Sequence, residues 1–147
     1  MTIAQRSART TWTGPLASGS GKIMSGSEAL NGLDVTWAAR TEQPGGLTSP
    51  EELAAAAHSS CFAMALALRL GERHTPPQQL HVEANVTLDE VDGLPTITSS
   101  QLLVKAQIQG IDGDGFQSAV DEAAALCPIS RLFTGARISI EALLEPN

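Results

Sequence analysis

Residues 47–70 read LTSPEELAAAAHSSCFAMALALRL, and the fold turns on how that stretch is read. Ser49 is an N-cap candidate, Pro50 suits the first helical position, and Glu52 follows the cap by three, the pattern of a capping box. The spacing predicts a helix from Pro50 to about Leu70, with Gly71 as C′ and Pro76-Pro77 beyond. At 1.5 Å per residue it would be about 31 Å long. It is apolar almost all round between Leu53 and Leu68, so burial on most sides is expected. The uncharged run Leu53–Leu68 holds His58, Ser59 and Ser60 and is shorter than the roughly 20 residues that span a bilayer. A chain of 147 residues has limited surface with which to cover such a helix. Two subunits around a pair of these helices would cover it, so a homodimer is expected.

Upstream, Ala8–Thr13, Lys22–Ser25 and Leu33–Ala39 read as short strands of a meander, separated by turns at Gly14-Pro15, Ser18–Gly21 and Asn31-Gly32. Arg40–Leu47 reads as a polar loop leading into the helix. Downstream, Leu80–Val91 alternates as a strand, Asp92-Gly93 turns, and Thr96–Gln109 returns as the second strand of a hairpin. Asp112–Gly115 reads as a loop and Phe116–Leu126 as an amphipathic helix that breaks at Cys127-Pro128. A helical turn over Ile129–Phe133 and a last strand over Ala136–Leu144 follow. Strands, long helix, strands, helix and strand make an α+β domain, expected as one unit over 1–147.

Composition narrows the function. Hydrophobic residues at 42% and charged residues at 17% fit a globular core, not a disordered tail. A net charge of −7 disfavours nucleic acid and anionic lipid as partners. The N-terminal MTIAQRSARTTWTG lacks the apolar core of a secretory signal, so a cytoplasmic setting is expected, with no membrane partner. There a transient catalytic disulfide is favoured over a permanent structural one.

The two cysteines carry the chemistry. Cys61 lies mid-helix in an apolar setting, where burial raises a thiol pKa and the helix dipole helps little. A nucleophilic Cys61 therefore needs a cation from elsewhere. Arg40, among Trp37, Ala38 and Ala39, is the first candidate; Arg69 and Arg73 lie two or three turns past Cys61 and suit the helix C-terminus better. Glu52 is occupied as the capping carboxylate, whereas Glu51 is free to fix an arginine. Glu51 and Cys61 are about 15 Å apart on a straight helix and cannot touch directly, but an arginine spanning between them could touch both. Cys127, at a helix break with Arg131 nearby, reads either as a second buried thiol or as a resolving cysteine on a movable segment. No CxxC pair is present. His58, His74 and His81 form no metal pattern, and His58 suits hydrogen bonding within the core. No metal and no cofactor are called for. A cysteine hydrolase would need a base and an oxyanion hole that the sequence does not offer.

Arg40 with its Gly-containing loop, Ser49-Pro50-Glu51-Glu52-Leu53, Ala56-Ala57-His58, Cys61-Phe62, Met64-Ala65-Leu66 and Cys127-Pro128-Ile129-Ser130 together resemble the OsmC/Ohr family of bacterial thiol-dependent organic hydroperoxide reductases. Trp12-Thr13-Gly14, Leu70-Gly71 and the arginine just before the helix look like the OsmC branch. The resemblance implies an OsmC-like fold, antiparallel sheets around a long buried central helix, in an intertwined homodimer. It implies Cys61 as the peroxidatic thiolate, Cys127 as the resolving thiol that forms a disulfide with it, and Arg40 with Glu51 as the activating pair. The substrate would be an organic hydroperoxide, with hydrogen peroxide used less well, and the reductant an external dithiol of the lipoyl kind. The competing expectation is a non-enzymatic apolar-ligand-binding or stress protein on the same fold, with both thiols as core packing.

Overall fold

The computed structural model describes residues 1–147. The chain forms two compact units, Met1–Leu53 and Ala54–Asn147.

In the first unit, β1 (Ala8–Thr13), β2 (Ser20–Ser25) and β3 (Leu33–Val35) pair as an antiparallel meander. Gly21 in β2 faces Trp12 and Val35, and a Cβ there would lie 2.8 Å from Val35 Cγ2 and 3.0 Å from Trp12 Cε3. Glycine is what lets the indole lie across the strand. The third strand stops four residues short of Ala39. Thr36 ends it by capping a short helix, α1 (Trp37–Thr41), its hydroxyl accepting the Ala39 N–H at 3.0 Å. Arg40 therefore sits on the last turn of a helix, not in a loop.

Next comes α2, Pro50–Glu72. The Ser49 hydroxyl accepts the Glu52 N–H at 3.1 Å, as the capping signal requires. The Glu52 carboxylate accepts from the Thr48 hydroxyl at 2.9 Å, so the expected capping box is only half formed. At the other end α2 runs through Gly71. His74, not Gly71, takes the left-handed backbone (φ 60°), and the Thr75 N–H returns to the Leu70 carbonyl.

In the second unit, β4 (Gln79–Val91) and β5 (Leu94–Gln107) form a hairpin. Its turn is Asp92-Gly93, both at positive φ (53° and 78°), as a two-residue hairpin of this hand requires. Next, α3 (Gly113–Leu126) starts three residues earlier than the sequence suggests. Asp112 caps it by accepting the Gly115 N–H at 2.7 Å, which draws the expected loop into the first turn. A break at Cys127 leads to α4 (Pro128–Leu132) and then β6 (Arg137–Leu144). β6 pairs with β5 in parallel, so the sheet is mixed where an antiparallel one was expected. A parallel neighbour needs a crossover, and α3 with α4 supplies it.

The core of this unit lies between α2, β5 and α3. Phe62, Leu66 and Leu70 of α2 are fully buried with Leu102, Ala106, Ala119 and Ala123. These α2 positions recur at i, i+4 and i+8, one stripe of the helix. The rest of α2 is not covered: Met64 is 74% and Leu68 53% exposed. Within one chain the helix is buried on one face, not on most sides. By length and mean hydropathy α2 is also sufficient to cross a bilayer, although its Phe62–Leu66–Leu70 stripe is packed inside protein.

Candidate active site

The first unit holds the arginine and the acid. Arg40, on the last turn of α1, meets Glu51, on the first turn of α2. The guanidinium Nε donates to both carboxylate oxygens (3.0 and 3.1 Å), and Nη2 donates to Oε1 at 2.7 Å. This fork-to-fork pairing fixes the plane of the guanidinium as well as its position. The Glu51 side chain is 11% and that of Arg40 30% exposed. The Trp37 ring lies 5.9 Å from Arg40 Cζ. Beside the pair is a largely apolar cleft of about 430 Å³, lined by Trp12, Leu16, Ile23, Val35, Trp37, Pro50 and Leu53 as well as Arg40. The pairing is legible in sequence because Glu51, unlike Glu52, has no capping duty.

The second unit holds both thiols. Cys61 is partly exposed and Cys127 fully buried. Neither is in a disulfide, and the two lie near enough for each to shift the other's acidity. The break at Cys127-Pro128 starts α4 at the second thiol, and Cys127 is its N-cap residue without a side-chain capping hydrogen bond.

The two thiols differ in acidity. Burial pushes Cys61 up; Cys127, through its hydrogen bond and its charge, adds to this against the pull of the Ile129 N–H. Burial pushes Cys127 up as well, but the Ser130 hydroxyl and N–H, the Cys61 thiol and the Ile129 N–H together bring it below the ordinary thiol range. Within this unit the net effect on Cys61 is upward, away from the thiolate.

The sequence reading missed what His58 does beyond core bonding. His58 is fully buried on the same stripe as Phe62 and Leu66. Its Nδ1 is 2.6 Å from Ser100 Oγ and its Nε2 2.8 Å from Ser130 Oγ. Phe133 meets the ring edge-on at 5.2 Å. Burial holds the imidazole pKa below its ordinary value, so the ring is neutral near pH 7. Arg69 and Arg73, the alternative cations, are engaged elsewhere: Arg69 with Glu72 at 2.6 Å and Arg73 with Glu122 at 2.6 Å.

A mixed sheet crossed by a long helix, with two free thiols in the same unit, defines a class of thiol-bearing α+β proteins. Comparison with known proteins identifies the class more closely. The OsmC-like protein family matches residues 43–142. Peroxiredoxin OsmC of Escherichia coli K12 is 38% identical over 121 residues, which is 82% of this chain and 84% of that protein. The crystal structure of the organic hydroperoxide resistance protein OhrB of Bacillus subtilis superposes with a TM-score of 0.74 at 26% identity, covering 93% of this chain and 98% of that one. An OsmC-like protein of unknown function from Vibrio cholerae shares the fold at a TM-score of 0.78 and 15% identity, covering 96% and 100%. The chain belongs to the OsmC-like family.

Proposed function

We propose that this protein is a thiol-dependent peroxidase that reduces organic hydroperoxides to alcohols. The observation that carries the reading is the thiol pair, a partly exposed Cys61 packed against the same core that buries Cys127, each shifting the other's acidity. Relatives named peroxiredoxin and organic hydroperoxide resistance protein support it.

Cys61 is the attacking sulfur because it is the accessible one. As the thiolate it attacks the terminal oxygen of ROOH. The O–O bond breaks, the alkoxide takes up a proton from solvent and leaves as ROH, and Cys61 becomes a sulfenic acid. Cys127 then displaces hydroxide from Cys61, giving up its own proton so that water leaves, and forms the disulfide. An external dithiol, of the lipoyl kind by family resemblance, then restores both thiols by exchange. Arg40, held in orientation by Glu51, is assigned as the cation that favours ionised Cys61 and stabilises charge on the leaving oxygen. The apolar cleft beside Arg40 supports an organic substituent on the peroxide.

A homodimer completes the reading. Met64 and Leu68, one turn apart on α2, are large apolar side chains left in solvent, as are Leu132 and Leu143. A second copy would cover them.

The deciding experiment is intact mass with peptide mapping, before and after one equivalent of an organic hydroperoxide is added to the reduced protein. Loss of two hydrogens with a Cys61–Cys127 link is the expected result. The cleft also suits a carrier of apolar ligands, and thiols inert to peroxide would bring that reading forward.

A further inference from the structure

The short helix α4 has little of its own to hold it in place. It has five residues, none of them buried, and Leu132 is 70% exposed. A proline break precedes it and a turn through Thr134 and Gly135 follows. Its backbone hydrogen bonds stay within the segment, from the Arg131 N–H to the Cys127 carbonyl and from the Phe133 N–H to the Ile129 carbonyl. A helix this short does not persist on such bonds alone. Its anchors lie outside it. Ile129 is partly buried against the core, and His58 of α2 meets the segment twice. His58 Nε2 lies 2.8 Å from Ser130 Oγ, and the ring meets Phe133, just past the end of α4, edge-on at 5.2 Å.

The imidazole is itself held. Its Nδ1 lies 2.6 Å from Ser100 Oγ of β5, and neither His58 nor Ser100 has any solvent exposure. Ser100 thereby fixes the ring with Nε2 turned to α4. Packing alone does not call for histidine here, because an apolar side chain would fill the stripe between α2 and β5 without two hydroxyl partners.

The two thiols belong to the same pair of segments. Cys61 follows His58 by three residues on α2, on the same face of the helix. Cys127 precedes Ser130 by three residues at the start of α4. Cys61 packs against the core cluster that contains Cys127. The hydrogen bond and the thiol pair are therefore two rungs between α2 and the α4 segment. A disulfide needs its Cα atoms about 4.4–6.8 Å apart, so a segment free to drift would keep Cys127 out of reach for part of the time.

We infer that the His58–Ser130 hydrogen bond is a strut that holds the α4 segment, and with it Cys127, against the face of α2 that carries Cys61. His58 is then a positioning residue for disulfide formation, a role that rests on the peroxidase reading and deepens its second half. In that step the Cys127 sulfur forms the S–S bond as the S–O bond of the Cys61 sulfenic acid breaks. Cys127 sulfur is oxidised, Cys61 sulfur is reduced, and the departing hydroxide takes the Cys127 thiol proton and leaves as water. The strut contributes proximity and takes no part in the proton transfer.

The test reads the Cys61–Cys127 disulfide in the full-length protein equilibrated with mixtures of reduced and oxidised dithiothreitol. One S–S bond is exchanged for another without peroxide, so the equilibrium measures how well the protein holds its two thiols together. His58→Leu should weaken the disulfide about ten-fold, the loss expected for one hydrogen bond to a buried imidazole, which makes its potential about 30 mV less negative. His58→Gln, whose amide extends toward Ser130, should fall between His58→Leu and the native protein. Amide hydrogen exchange should quicken over 128–133 in His58→Leu while the β4–β5 hairpin keeps its protection. Leu66→Ala, which loses core packing but keeps the strut, should leave the disulfide equilibrium unchanged. Ser130→Ala removes the same bond from the α4 side, should show the same weakening, and carries the test if His58→Leu does not fold. A native equilibrium in His58→Leu or Ser130→Ala, or an equal shift in Leu66→Ala, overturns the strut alone. Native thiols that form no such link, or that stay inert to one equivalent of tert-butyl hydroperoxide, overturn the peroxidase reading and the positioning role with it.

Discussion

Replacing Glu51 by Gln tests how the arginine is aimed. The substitution keeps size and shape but turns one of the two oxygens that face Arg40 into an NH₂ group. Three short contacts, at 2.7, 3.0 and 3.1 Å, depend on the carboxylate. A charge-assisted hydrogen bond is worth about 1.5–3 kcal/mol net. Arg40 is 30% exposed, so water offsets part of that, and a coupling of about 2 kcal/mol is expected, above the roughly 0–1 kcal/mol of a surface pair. The assay is a double-mutant cycle of Arg40→Gln and Glu51→Gln by urea unfolding. Fluorescence is a suitable probe, because both tryptophans, Trp12 and Trp37, lie in the unit that holds the pair. Oxidation of Cys61 by peroxide should slow in each single variant and hardly further in the double. A coupling below about 0.5 kcal/mol would make the clamp an ordinary surface ion pair, and the assignment of Glu51 as the residue that orients Arg40 would fall.

Other expectations follow from the second unit. Cys127→Ser should take up one oxygen at Cys61, form no intramolecular disulfide and proceed to sulfinic acid with excess peroxide, as mass mapping would record. Leu66→Ala removes a fully buried side chain between α2 and its sheet and should destabilise the protein by about 2–5 kcal/mol in denaturant unfolding. The neutral, buried His58 imposes a pH dependence. Its folded pKa lies below the unfolded value of about 6.5, so only the unfolded chain gains a proton as pH falls through that value. The contribution is complete above about pH 6.5 and is lost on acidification down to the folded pKa. The stability difference between the native protein and His58→Gln should shrink over that window, and a constant difference would contradict a buried neutral imidazole.

What was readable in the sequence was local. Ser49-Pro50 announces α2, Asp92-Gly93 announces the β4–β5 hairpin, and Cys127-Pro128 announces the break that places the second thiol, because each signal acts within a few residues. The Arg40–Glu51 pair was legible for a similar reason: capping accounts for one of two adjacent acids and frees the other. One error is a missed local signal: Thr36 caps Trp37–Thr41 as a helix by accepting the Ala39 N–H three residues on. The others arise where distant contacts decide. The parallel setting of β6 depends on where α3 and α4 deliver it, which alternation alone does not encode. The partners of His58 are 42 and 72 residues away, so its place on the apolar stripe was visible and its hydroxyl neighbours were not. The acidity order of the thiols depends on N–H and hydroxyl groups of α4 that exist only once the break has formed.

The parallel pairing of β6 with β5 bears on how the protein is made. β5 is the middle strand of its sheet, yet one of its neighbours is made only after the crossover through α3 and α4. Until Arg137–Leu144 emerges, β5 shows an open row of backbone groups, the kind of edge that pairs with other chains. The β4–β5 hairpin and α2 can associate before then, but the sheet closes only when β6 arrives. Chains stalled or truncated before residue 137 would expose that edge, so they should aggregate and not persist as slightly shortened enzymes.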